Sequence, residues 1–219
     1  THQKHQTFPY ERYQDNRPDK FMTPQDKKIE LEKIAQEIRE FKGLDIAKNC
    51  INAVPGEGDP DAKIMFIGEA PGADEDAQGR PFVGRSGQLL RQTITDSNIK
   101  IDRVFITNIV KYRPPENRDP EPLEIEICRD WLDRQIQTIE PATIVTLGRF
   151  SMAKFLPYVK ISQVHGKGQE IEFLDKKYFL VTMYHPAFAI RGTSNMIEFK
   201  KDFANLRQMA IDPLNLRRC

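Results

Sequence analysis

Ile64-Met65-Phe66-Ile67-Gly68-Glu69-Ala70-Pro71-Gly72 decides the fold: an apolar run of strand length ends in a Gly/Pro turn with a carboxylate at its mouth. A short apolar run bounded by turn signals reads as a buried strand. An acidic loop follows, then Gly79-Arg80-Pro81-Phe82-Val83-Gly84, where an aromatic sits between Pro81 and Val83 in a Gly-flanked turn. The segment from Gln88 to Ile94 then reads as helical. In an open α/β sheet, ligands bind beyond the carboxyl ends of the strands, so a pocket is expected at this junction. Glu, Gly and an aromatic together suit it to gripping a flat ring and doing chemistry on it.

Working outward, Val104–Val110, Thr143–Leu147 and Tyr178–Met183 read as three more strands. Thr23-Pro24 has the form of a helix start, a Thr cap before a first-turn Pro. Ile29, Ile34, Ile38 and Phe41, with Leu31 nearby, recur at helical spacing and are expected to face a core. Pro122–Ile139 reads as an amphipathic helix carrying Leu123, Ile127, Trp131, Leu132 and Ile136, and a last helix is expected over Glu198–Ala210. Strands alternating with helices predict a three-layer α/β/α sandwich with a mostly parallel, four-stranded central sheet. Residues 24–211 are read as one domain, 1–23 as a flexible N-terminal arm and 212–219 as a tail.

The chain has 219 residues and a formal net charge of +1, which excludes a polybasic non-specific binder but leaves room for a DNA enzyme with a local basic face. No apolar run reaches the roughly 20 residues of a membrane span, and no signal-peptide core precedes the first helix. Cys50, Cys128 and Cys219 lie far apart without a Cys-x-x-Cys, so an intracellular, reducing compartment is expected rather than a disulfide framework. Neither metal-ligand spacing nor a phosphate-cradling glycine loop is present.

Three strand ends carry chemistry: Glu69 after the first strand, Asn108 in the second and His185 after the fourth. A parallel sheet projects all three to one edge. Asn108 offers paired donor and acceptor for the edge of a base, and Phe82 offers a stacking surface. His185 suits stabilising charge on a leaving group, and Glu69 suits orienting or activating water. Each alone has a plainer reading: a turn carboxylate, a turn amide, a core aromatic, a satisfied histidine. Arg85, Lys111, Arg113, Arg118 and Arg191 flank the same edge as candidates for a phosphate track. Ser86 stands at a helix start where a phosphate also fits. Near His165, a loop before a hairpin places Lys167 as a further backbone contact.

At these residues the chain resembles the uracil-DNA glycosylase superfamily and, within it, family 4. The resemblance rests on GEAPGADEDAQGRPFVGRSGQLL (68–90), VFITNIVKYRPPENRDP (104–120), IVTLGRF (144–150) and HPAFAIR (185–191). It implies that Glu69 and Ala70 position the attacking water, that Phe82 stacks on a flipped uracil and that Asn108 reads its Watson–Crick edge. It further implies that His185 donates to uracil O2 and that Glu75 lies near C5, against thymine's methyl. Phe188 and Ile190 become wedge candidates in a minor-groove loop running from Ala187 to Arg191.

Family 4 members hold a four-iron, four-sulfur cluster on four cysteines; here Phe41, Leu44 and Tyr112 stand at three of those positions and only Cys128 remains. A cluster needs thiolates from all sides, so none is expected, and no metal or other cofactor either. The expectation is a monomeric, monofunctional glycosylase acting on uracil in single- or double-stranded DNA, with no membrane partner. Two alternatives stand beside it, a silent module that binds uracil or damaged DNA, and a glycosylase with broader choice of deaminated base.

Overall fold

A computed structural model describes residues 22–211; the arm read at 1–23, apart from its last two residues, and the tail at 212–219 lie outside the described residues. The chain begins with α1 (Pro24–Glu40) and α2 (Asp45–Asn49), then β1 (Glu57–Gly58), β2 (Ile64–Gly68), α3 (Ala73–Gln78) and α4 (Arg85–Asp96). It continues with β3 (Val104–Asn108), α5 (Pro122–Ile139), β4 (Thr143–Leu147), α6 (Arg149–Ala153) and α7 (Ile161–Val164). It closes with β5 (Lys167–Phe173), β6 (Lys176–Met183), α8 (Pro186–Ala189) and α9 (Thr193–Ile211).

The strands form one sheet in the order β1-β3-β2-β4-β6-β5. The central four, β3-β2-β4-β6, are parallel as expected, while β1 and β5 add antiparallel edges. The sheet is therefore six-stranded among the described residues rather than four-stranded. The hairpin expected after His165 is present, but its first strand, β5, is not placed by the sequence, because it is half exposed and joins β6 through Leu174-Asp175, both at positive φ (50° and 58°). A two-residue hairpin loop of that geometry is normally signalled by Asn-Gly or Asp-Gly, and Leu-Asp carries no such signal.

Alternation across the pleat divides the core in two. Met65, Ile67 and Ile144 face a layer built on α1 and α5, where Ile34, Ile38, Leu132 and Ile136 are buried. Phe66, Val145 and Val181 face the opposite layer, with Leu90 and Ile94 of α4 and Phe199 and Phe203 of α9. Helices on both faces explain why the central strands read as continuous apolar runs. α1 starts where expected, with Thr23 Oγ1 accepting from the Asp26 amide and Asp26 accepting in return from the Thr23 amide. Ile29 is a correction: it is 59% exposed, because it lies five residues from Ile34, off the i+3/i+4 stripe. Leu123, in the first turn of α5, is likewise exposed.

An aromatic cluster fastens α1 to α5 on the first face. Phe41 lies against Trp131 at 5.1 Å between ring centroids and against Tyr112 at 6.2 Å; Leu44 and Cys128 are buried in the same core. The Tyr112 hydroxyl donates to the Ile38 carbonyl at 2.7 Å. Removing it strands a buried acceptor, so Tyr112→Phe should lower unfolding free energy by about 1–3 kcal/mol. Tyr112→Ala, which also opens a cavity, should cost roughly 3–5 kcal/mol. Urea denaturation of the two variants checks that order.

Candidate active site

β3 and β4 both pair with β2, on opposite sides, so the strand order reverses there. A reversal of this kind leaves a crevice at the carboxyl edge. Glu69 and Ala70 leave β2 into it, Asn108 ends β3, Arg149 follows β4, and Tyr184 and His185 follow β6. These residues, with Glu75, Phe82, Ser86, Arg118, Phe188 and Arg191, line one cavity of about 750 Å³. That is ample for a nucleobase and part of its sugar.

Phe82 is held in a backbone conformation that L side chains rarely adopt, with φ 52°. Three neighbours impose it. Glu75 Oε1 accepts from the amides of Val83 and Gly84, both at 2.8 Å, and its Oε2 accepts from the Gly72 amide at 3.1 Å. Arg91 donates to the carbonyls of Phe82 (2.8 Å) and Pro81 (2.7 Å) from the other side. Gly87 lets α4 approach: a Cβ there would lie 2.1 Å from the Phe82 carbonyl carbon. Strain over-determined in this way marks a placement that the surrounding structure maintains. Sequence reasoning did not find Arg91 or Gly87, because neither lines the cavity. Glu75 does line it, and its carboxylate is engaged in holding this loop.

Asn108 is almost fully buried, and its Oδ1 has no hydrogen-bond partner among the described residues. Gly68 is its register partner across β2 and β3. A Cβ on Gly68 would lie 2.4 Å from both Asn108 Oδ1 and Phe82 Cζ, so only glycine leaves room for amide and ring together. A buried acceptor without a donor is costly unless something else supplies one.

His185 Nδ1 accepts from the Ala187 amide at 3.2 Å, which leaves the proton on Nε2. Burial pushes its pKa down to about 4, with the Arg191 charge adding to the effect and Glu75 opposing it. The imidazole is thus a neutral donor at neutral pH. Glu69 is shifted the other way: burial, helped by the Asp119 charge and opposed by Arg149, raises its carboxyl above the ordinary range. Desolvation moves both groups toward their neutral forms, which makes them candidates for proton-handling roles in this cavity.

The expected DNA contacts divide. Ser86, Arg118, Phe188 and Arg191 reach the cavity wall, though Arg118 is committed to Glu124 at 2.7 and 3.0 Å. Arg85, Arg113 and Ile190 lie outside that wall; Arg85 is exposed, and Arg113 donates to Asn117 Oδ1 at 2.8 Å. Lys167 lines a separate cavity with His165 and donates to the Gln163 carbonyl. His165 itself is held by Asp202 at 2.9 Å and lies 4.2 Å from the Tyr184 ring, which stacks on Phe188 at 4.2 Å. Lys111 is a correction. It is fully buried, with its ammonium among three oxygen acceptors, and cannot meet a phosphate.

A family model described as the uracil DNA glycosylase superfamily matches residues 55–209. The chain belongs to that superfamily. It is 45% identical over 189 residues to the type-4 uracil-DNA glycosylase of Sulfurisphaera tokodaii, covering 84% of this chain and 86% of the relative. It is 42% identical to the type-4 uracil-DNA glycosylase of Archaeoglobus fulgidus (82% and 92% covered) and 39% identical to that of Thermotoga maritima (75% and 85%). The matched span of this superfamily member contains β2 through most of α9, and so every residue of the cavity wall.

Because folding depresses the His185 pKa, the unfolded chain binds the proton first as pH falls. Stability is therefore undiminished above about 6.5 and declines as pH drops from there toward 4, by on the order of 3 kcal/mol at most. Melting temperatures from pH 7 to 4 should show this slope, and His185→Gln should flatten it.

Proposed function

We propose that this member of a family of N-glycosyl hydrolases excises uracil from DNA, as a monomer, leaving an abasic site and using no iron–sulfur cluster. The observation that carries the reading is Asn108 Oδ1, a buried acceptor with no hydrogen-bond partner among the described residues, on a side chain of the cavity wall. Uracil supplies an N3–H donor to it and an O4 acceptor for the amide's N–H; cytosine presents the opposite pattern. The base stacks on Phe82, whose placement the Glu75 and Arg91 bonds maintain.

In the reaction, the C1′–N1 bond breaks with its electron pair going to uracil. The neutral His185 Nε2–H donates to O2, where the charge collects. Glu69, with its raised pKa, orients the water that forms the new C1′–O bond and takes up its proton. Among the described residues no lysine lines the cavity, and Lys111 is sealed behind Asn108, so none of them offers an amine for a lyase step. The stacked Tyr184 and Phe188 at the cavity wall suit filling the gap left by the base. Extrusion costs a few kcal/mol in a paired duplex, and less in a mismatch or single strand, so those substrates should react faster.

The cluster that the family resemblance implies does not fit the residues present. Phe41, Tyr112 and Trp131 pack against one another, with Cys128 buried in the same core and Cys50 packed against it, and Tyr112 uses its hydroxyl on the Ile38 carbonyl. An apolar, close-packed site with two cysteines among the described residues falls short of the four thiolates that would hold the cluster.

Iron-free protein incubated with an oligonucleotide bearing one deoxyuridine, followed by alkali, should give strand scission at that position. Intact strands, or tight binding without scission, would overturn the assignment; the latter is the behaviour of a silent damage-binding module. Asn108→Asp should relax the choice of uracil over cytosine, and His185→Ala should lower kcat by about 10²–10³ with a smaller change in binding.

A further inference from the structure

The least exposed cation near the active site takes no part in the chemistry above. Lys111 is 0% exposed, on the segment that follows β3, and its Nζ turns back beneath the strand end. It donates to Thr107 Oγ1 at 2.7 Å, to the Asn108 carbonyl at 2.8 Å and to Gln135 Oε1 at 2.8 Å. Three acceptors match the three donors of an ammonium, set against a burial that pulls the Lys111 pKa down to about 7. Thr107 Oγ1 and Gln135 Nε2 both donate in turn to the Pro55 carbonyl, at 2.9 and 2.8 Å. One cation thus joins the chain before β1, the end of β3 and the middle of α5.

Such a buried charge is weak evidence for stability, because an apolar residue of similar volume often serves as well or better. Its geometry explains what an apolar residue would not do. Asn108 is the last residue of β3, at the carboxyl edge of the sheet. Its carbonyl is gripped by the ammonium, and its neighbours Ile109 and Val110 donate to Gly68 and Glu69. With the peptide fixed on both sides, the Cα–Cβ bond of Asn108 points one way, and the amide meets a flat base at a single height. Placement to within about 0.5 Å is what such a contact requires.

We propose that Lys111 is the positioning residue for Asn108, acting on uracil recognition through the Asn108 main-chain carbonyl and not through DNA or the reacting atoms. The proposal rests on the reading of Asn108 as the residue that reads the base. A double-mutant cycle on the full chain separates the two, with rates of deoxyuridine excision measured under single-turnover conditions so that weak variants remain measurable. Lys111→Met should lower the rate by about tenfold or more in the wild-type background, but by less than about twofold in Asn108→Ala. Equal losses in the two backgrounds, or an undiminished rate in Lys111→Met alone, would overturn the positioning role while leaving Asn108 in place. A normal rate in Asn108→Ala would instead remove Asn108 from recognition, and this inference with it. Should Lys111→Met fail to melt cooperatively, Thr107→Val removes one acceptor at nearly constant volume, and the same non-additivity is expected of it.

Discussion

Gly68 and Asn108 are register partners on adjacent parallel strands, and the site depends on that pairing. Because β2 and β3 end together, the amide of Asn108 and the ring of Phe82 converge on the space that a Gly68 side chain would fill. The ladder persists one step further, with the Ile109 and Val110 amides donating to Gly68 and Glu69. That step fixes the carbonyls from which the Glu69 carboxylate departs. On the far side of β2, β4 and β6 keep the same register, Leu147 opposite Met183, and deliver Gly148 and His185 to the same edge. A slip of one residue would turn every one of these side chains to the other face.

Burial sets the electrostatics at that edge. The same low-dielectric wall that neutralises His185 raises Glu69, since desolvation disfavours the charged form of either. A neutral imidazole donates without repelling a neighbouring cation, and a raised carboxyl is a better proton acceptor. Glu75 stands apart although it lies in the same wall. Its two oxygens accept from three backbone amides and serve the Phe82 loop.

The layer built on α1 and α5 is held together by contact between aromatic rings. Where the family resemblance places an iron–sulfur cluster, Phe41, Tyr112 and Trp131 tie α1 to α5 by contact between rings, and one phenol bonds to the backbone of α1. The interface carries ion pairs as well, with Arg134 of α5 meeting Glu37 of α1 at 2.5 Å. Dispersion and burial join these segments here.

Much of this was legible in the sequence. β2, β4 and α5 fall where the apolar runs and the Pro122 start put them, because central strands covered on both faces and long amphipathic helices leave strong local patterns. Glu69, Phe82, Asn108 and His185 were marked by position at strand ends and by motif, and all four line one cavity. What the sequence could not determine involves partners distant in the chain. Ile29 is a different case, a misreading of local spacing, since a position five residues from Ile34 falls off the helical stripe. The β5 hairpin lacked its usual turn residues. Lys111 read as a surface charge because nothing local shows that Pro55, Thr107 and Gln135, up to 80 residues apart, enclose it. Local pattern determined which segments are strands and helices and which side chains stand at their ends. Tertiary structure alone decided which charges are desolvated and which polar atoms go unpaired, since both depend on neighbours that only folding brings together.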